Sequence, residues 1–335
     1  MTSTIVTGPR RARTLPGVLG AALALLLAAG CSPAPQDAAA GGEGTSTVRV
    51  GPLQDPNYLT LTRLAGSMEE TVGAAGGEVE WAPAFPAFAP TAEALRGGSI
   101  DIGTGSSTSF LSALGEQSDL VVFAVEQDSG LGQGIVGRDG VATVEDLVGR
   151  TVAVNRGGTG EYLLLLALRE HGIDPSTVDI QYLPPTEAAT AFAQGHVDAW
   201  AVWDQFYATA QTVPGAQVVA SGRDIGSVNR IVHVTTRAFA DANPELLRAA
   251  YDALARESDA ASSDNSRIAD LAAEGGAPPE VAEVIRAVPP ATIAPADQAL
   301  LAEFTSIAEF YAETGLAEPP ADVSAAVVDV LGGSS

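Results

Sequence analysis

Two segments of the chain match each other: PTAEALRGGSID over Pro90–Asp101 and PTEAATAFAQGHVD over Pro185–Asp198. Each reads as a short helix closed by glycine, then a strand that carries an aspartate. The flanks repeat in the same order. In the first half, Thr47–Gly51 is a β-branched run, Pro52–Asn57 a loop and Tyr58–Ala74 an apolar-periodic stretch. Glu78–Ala82 and Ser99–Gly103 are further strands, the latter leading into Thr104–Phe110. In the second half, Thr151–Asn155 is a strand, Arg156–Gly160 a loop and Glu161–His171 a helix, and Val178–Tyr182 and His196–Trp200 are strands. Strands alternating with helices of this length imply parallel sheets. Two such runs imply two α/β lobes. Right-handed crossovers then put the strand-to-helix loops of each lobe along one edge.

After Gly226 one more strand follows, Arg230–Thr235, and from Ala238 the pattern is helical. Asn243-Pro-Glu opens one helix with proline in its first turn, and Leu300–Glu313 reads as another. The last part therefore returns to the first lobe and packs on it. Two crossings join the lobes, near Gln127–Gly134 and Gly226–Arg230. The expected division is 47–128 with 231–330 for the first lobe and 129–230 for the second.

The start of the chain reads differently. Arg10, Arg11 and Arg13 precede the apolar run Gly17–Gly30. That run is shorter than the roughly 20 residues a membrane span needs, and residues 1–30 read as a secretory signal. It ends in Ala28-Ala29-Gly30-Cys31, which resembles the lipobox of bacterial lipoproteins, with Ala28 where leucine is usual. The resemblance makes Cys31 a lipidation site, with the exported protein anchored to the outer face of the cytoplasmic membrane. Residues 31–46 then read as a polar tether.

Composition excludes several chemistries. Cys31 is the only cysteine, so no disulfide forms within the chain. All basic residues are arginine, which removes a Walker lysine, a Schiff base and a lysine general base. With three histidines, a zinc site would depend on carboxylates, and no metal or cofactor is expected. The formal charge is −24, and loss of the leader's three arginines lowers it further. Such a chain does not suit nucleic acid, whose phosphates need basic contacts.

Candidate ligand residues follow from topology, because open α/β sheets bind at the carboxyl ends of their strands. Aromatics are 5% of the chain, yet Trp200, Trp203 and Phe206 fall within thirteen residues, together with His196, Asp198 and Asp204. Alternation sends Trp200 and Trp203 to opposite faces. Trp200 is expected in the core, and Trp203 and Asp204 at the strand end facing the cleft. Asp101 and Asp198 hold the same place in each repeat and are expected to brace backbone.

Gly158, Thr159 and Gly160 precede a helix whose amides would suit an anion, although a tight turn also needs such glycines and Glu161 already favours the helix start. Gly105, Ser106 and Ser107 are the counterpart in the first lobe, with helix capping as a compatible role. Gln54, Asn57 and Tyr58 belong to the first strand-to-helix loop, Phe85 to the second, and Glu126 ends the strand Leu120–Val125. Arg230, with Arg156, is the nearest candidate cation, and Glu126 or Asp204 would hold the cationic end of a zwitterion. No catalytic constellation is present in the sequence.

The phrases LRGGSIDIGTGS, VEDLVGRTVAVNRGGTGEYLLLLAL and LPPTEAATAFAQGHVDAWAVWDQF resemble the substrate-binding proteins of nitrate, sulfonate and taurine ABC transporters. The resemblance covers about Val48 to Leu316. It implies a two-lobed α/β fold of the periplasmic-binding-protein type II, each lobe a mostly parallel sheet flanked by helices, closing on a ligand in the cleft between them. It implies a monomer that captures a small solute and delivers it to a permease and its ATPase. An alternative within the same fold is a protein that binds a thiamine-pyrimidine precursor or another heterocycle. Enzymes of the pyrimidine-synthase type use a lysine-bound cofactor, which a lysine-free chain lacks.

Overall fold

The computed structural model describes residues 46–114, 119–261, 265–316, 318, 320 and 322–332. The leader, Cys31 and residues 31–45 of the tether lie outside the described residues. The strands are β1 (Ser46–Gly51), β2 (Gly77–Trp81), β3 (Ile102–Ser106), β4 (Leu120–Gln127), β5 (Gln133–Gly137), β6 (Thr151–Val154), β7 (Asp179–Tyr182), β8 (Ala199–Trp203), β9 (Gln217–Ser221), β10 (Ile231–Thr236) and β11 (Thr292–Pro295). The helices are α1 (Tyr58–Ala65), α2 (Ser67–Ala74), α3 (Phe88–Arg96), α4 (Ser107–Leu114), α5 (Thr159–Glu170), α6 (Pro185–Ala193), α7 (Asp204–Gln211), α8 (Arg237–Ala242), α9 (Pro244–Ala260), α10 (Ser266–Glu274), α11 (Pro279–Ala287) and α12 (Gln298–Thr314).

Local chemistry sets several of these boundaries. Asn57 caps α1, its Oδ1 accepting the Thr60 N–H at 3.1 Å. Gly66 sits at φ +70°, which glycine adopts without steric cost, and it divides the apolar stretch Tyr58–Ala74 into α1 and α2. Helix α5 is buried along nearly all its length, from Thr159 to Leu168, so its run of leucines faces protein on every side.

The strands form two sheets, in the orders β11-β4-β10-β3-β1-β2 and β7-β6-β8-β5-β9. The repeat unit is parallel in both: β1 pairs with β2 and β3, and β6 with β7 and β8. The sheets are nevertheless mixed. The chain passes from β4 to β5 and from β9 to β10, and each strand it then enters runs antiparallel to both neighbours. Strand β11 is antiparallel to β4 as well. The expectation of mostly parallel sheets describes the repeats and omits these returning strands, whose direction apolar patterning does not encode.

The tail does return to the first sheet through β10 and β11, but not all of it stays there. Helix α11 packs against α7 of the other sheet, burying Ala208 with Val281, Ala282 and Ile285, while α10 packs on α11 and on α1. The apolar stripe at 281, 282 and 285 is an i, i+1, i+4 pattern that must be covered.

Asp101 and Asp198 brace their sheets in the same way. Asp101 Oδ2 accepts the Arg49 N–H at 2.8 Å and Nε at 2.9 Å, and Oδ1 takes Nη2 at 2.7 Å. Asp198 Oδ2 accepts the Thr151 N–H at 2.9 Å, with Arg150 at 3.6 Å. Each aspartate's own N–H donates back, to Arg49 O at 2.7 Å and Thr151 O at 2.8 Å. Removing the buried Asp101 carboxylate strands a backbone donor and a guanidinium, which costs about 2–3 kcal/mol. The Asp198 side chain is 39% exposed, so water replaces part of its role and the loss is about 1 kcal/mol. Urea unfolding of Asp101→Ala and Asp198→Ala is expected to show that order, and a larger loss at Asp198 would contradict it.

Candidate functional site

The strand ends of the two sheets face one another across an open cleft whose space, solvent included, is about 700 Å³. Asn57, Tyr58, Ser106 and Glu126 line it from the first sheet, and Thr159, Trp203 and Asp204 from the second. An adjoining space of about 650 Å³ shares Asn57, Ser106, Thr159, Trp203 and Asp204 and adds Phe88, Gly105 and Asn155. The two are one cleft. At its floor the hydroxyls of Ser106 and Thr159 meet at 3.0 Å, joining the end of β3 to the start of α5.

Asn229 fixes this floor from behind. Its Oδ1 accepts from the Thr108 N–H at 3.1 Å and Oγ1 at 2.9 Å, and its Nδ2 donates to Gln133 Oε1 at 3.0 Å and Thr159 Oγ1 at 3.4 Å. Gln133 Nε2 returns a bond to Asn229 O at 3.0 Å. A buried polar network is stable only when its members are satisfied, and this one links residues of both sheets.

The cleft is acidic. Asp204 opens α7 at φ +47°, a conformation costly for a non-glycine residue. Burial pushes its carboxyl well above the usual range, and Asp55, Glu126 and Asp128 push it the same way. Asp55 accepts a hydrogen bond from the Trp203 indole, which partly offsets its own burial. Glu126 Oε1 accepts the Tyr58 N–H at 3.3 Å and lies 3.2 Å from Nε2 of the fully buried His233. Arg230 reaches the cleft but is held by Asp128 at 3.5 Å and Glu303 at 3.4 Å. It does not pair with Asp204 across the cleft.

Of the sequence candidates, Asn57, Tyr58, Gly105, Ser106, Glu126, Thr159, Trp203, Asp204 and Arg230 come together at the cleft. Trp200 lies in the core between Phe192 and Phe206, with ring centroids 6.2 Å and 5.9 Å away. Five candidates are placed elsewhere. Gln54 is exposed at an outer groove. Phe85 folds over Gly51, and Phe88 takes the cleft position instead. Ser107 is fully buried, its hydroxyl 3.4 Å from Arg230 O. Gly158 and Gly160 are set by packing: a side chain at 160 would collide with Ala201 O, and one at 158 with the Asn155 amide. The loop amides are also occupied, since Gly160 N–H donates to Asn155 Oδ1 at 2.8 Å and Gly157 N–H to Glu161 Oε2 at 2.6 Å.

Asp55, Asp128 and Asn229 at the cleft were missed by sequence reasoning. Asp128 directly follows the predicted strand-end acid Glu126-Gln127, which was a usable signal. Asn265, Ile268 and Val288, contributed by the α10–α11 region, carried none.

Two mixed sheets with a cleft between their strand ends define the periplasmic-binding-protein fold. The family model described as NMT1/THI5 like matches residues 78–266, and the chain belongs to that family. It is 32% identical over 255 residues to a putative aliphatic sulfonates-binding protein of Escherichia coli, covering 73% of this chain and 78% of that one. It is 29% identical over 177 residues to the taurine-binding periplasmic protein of Escherichia coli, covering 52% and 54%. The alkanesulfonate-binding protein SsuA from Xanthomonas axonopodis pv. citri, solved bound to MOPS, superposes with a TM-score of 0.76 at 26% identity, covering 85% of this chain and 98% of that one.

The raised Asp55 carboxyl has a measurable consequence. Burial pushes it to about 6 from an ordinary value of 3.8. The folded state therefore holds a proton that the unfolded state has released, and stability falls as pH rises from about 4 to about 6. At pH 7 the ionised group costs up to about 3 kcal/mol, at 1.36 kcal/mol per unit. Asp55→Asn keeps the acceptor for Trp203 and is expected to raise stability at pH 7 by about 1–3 kcal/mol, with a smaller gain at pH 4. Thermal melts at the two pH values check this, and a variant no more stable than the parent at pH 7 contradicts it.

Proposed function

We propose that the chain captures a small sulfonate-like solute outside the cytoplasm and delivers it to an ABC importer. The observation that carries this reading is the cleft itself. Ser106 and Thr159, each from a strand–helix junction of one of the two duplicated units, present hydroxyls at one floor, and Trp203 forms a wall. Relatives across most of the chain are named as sulfonate- and taurine-binding proteins. In this reading, residues 47–128 with 231–330 and residues 129–230 are the two lobes, and they close on the solute about the segments preceding β5 and β10. Cys31 carries the lipid anchor of an exported monomer, and a permease with its ATPase receives the solute. The role is binding rather than catalysis. This rests on the naming of the relatives and on a chain with no lysine and no cysteine beyond Cys31.

Isothermal titration with alkanesulfonates and taurine tests the reading. At least one is expected to bind in the micromolar range, which requires about 8 kcal/mol. Ser106→Ala and Thr159→Val each remove one hydroxyl, at about 1 kcal/mol apiece, and are expected to weaken that binding several-fold. Absence of binding by every sulfonate at millimolar concentration would contradict the proposal.

A further inference from the structure

Asp204 stands where three spaces meet. It lines the main cavity, the adjoining space against Phe88 and Asn155, and a third space of about 440 Å³ between α7 and the α10–α11 pair. That third space is bounded by Ile268, Val284, Ile285 and Val288, and Asp204 is the only charged residue among those that line it. No arginine or hydrogen-bond donor reaches the Asp204 carboxyl among the described residues.

The neighbouring groups carry the same message. The Glu126 side chain is 6% exposed, with Oε1 taken by the Tyr58 N–H and 3.2 Å from His233 Nε2, with no donor on Oε2 among the described residues, and it faces the cavity. Asp128 is the third carboxylate there, and the one guanidinium at the cavity, Arg230, is shared between Asp128 and Glu303. Among the described residues no group of three acid, histidine or cysteine side chains converges closely enough to hold a metal ion. Carboxylates spread around an open cleft, rather than converging on one point, suit a larger, softer cation. At the hydroxyl floor the need is reversed. Asn57 is 4% exposed, its Oδ1 is fixed by the Thr60 N–H, and its Nδ2 donors lack an acceptor among the described residues.

Resting on the sulfonate reading of this same cleft, we infer that the solute is zwitterionic, with an ammonium at Asp204 and Glu126, its anionic end at Asn57, Ser106 and Thr159, and an apolar nitrogen substituent between α7 and α11. A plain alkanesulfonate would leave the half-buried Asp204 carboxylate uncompensated, and an unpaired charge withdrawn from water is costly. A cation with an apolar substituent satisfies Asp204 and fills the Ile268–Val288 space together. Helices α10 and α11 thus join the ligand site, and the packing of α11 on α7 sets how large the substituent can be.

The test is calorimetry on the full chain with four probes: 1-propanesulfonate, 3-aminopropanesulfonate, N-cyclohexyl-3-aminopropanesulfonate and propylammonium. The amino sulfonate is expected to bind at least tenfold tighter than propanesulfonate, and the cyclohexyl compound tighter again. Asp204→Asn, which tolerates the positive φ, is expected to bring the amino-to-plain ratio near one. Val284→Trp, which fills the third space, is expected to remove the cyclohexyl advantage while 3-aminopropanesulfonate still outbinds propanesulfonate. Propanesulfonate binding as tightly as its amino analogue overturns the inference and leaves the sulfonate reading standing. Propylammonium binding with no sulfonate bound overturns the sulfonate reading and the zwitterion, and no binding by any probe overturns both.

Discussion

One carboxylate, used twice, sets the geometry of this protein. Asp101 and Asp198 each exchange two hydrogen bonds with the backbone of one residue of the neighbouring parallel strand, Arg49 within β1 and Thr151 at the start of β6. The exchange fixes the stagger between β1 and β3 and between β6 and β8. Because that stagger is the same in both sheets, Ser106 at the end of β3 and Trp203 at the end of β8 reach the same cleft. The repeat therefore works at two levels. It shapes each sheet, and it places two loop rims opposite each other.

The floor of the cleft depends on a second constraint, hydrogen-bond satisfaction. Asn229 lies on the segment between β9 and β10, and Gln133 begins β5, so both belong to the crossings between the sheets. Their mutual bonds tie the crossings to the first turns of α4 and α5. Any opening of the cleft about these segments must strain or exchange that network, which also holds the hydroxyl of Thr159 at the cleft floor. The carboxylates work in the opposite sense. Asp55, Glu126 and Asp128 each add to the burial that raises the proton affinity of Asp204, and Glu126 does the same to Asp128.

What was legible in the sequence followed periodicity and repetition. The internal match marked the third strand of each unit, and placing 200 in the core and 203 at the strand end required only alternation. Strand direction was not legible, because β10 and β5 have the apolar run of any buried strand and nothing in such a run says which way it enters a sheet. The glycines at 158 and 160 show a different limit. An anion loop and a close approach to Ala201 both demand glycine, so residue type could not separate them. Asp128 and Asn229 sit on crossing segments without periodicity, and Ile268 and Val288 reach the site only because α11 lies on α7 and α10 packs on α11 and α1.

The central claim is that a solute bridges the two strand-end rims inside this cleft. A crystal structure of the full chain with the tightest-binding sulfonate tests it most directly. The account predicts ligand density within hydrogen-bond distance of Ser106 and Thr159 and in contact with Trp203. Density confined to the outer surface, or to one sheet without the other, would contradict it.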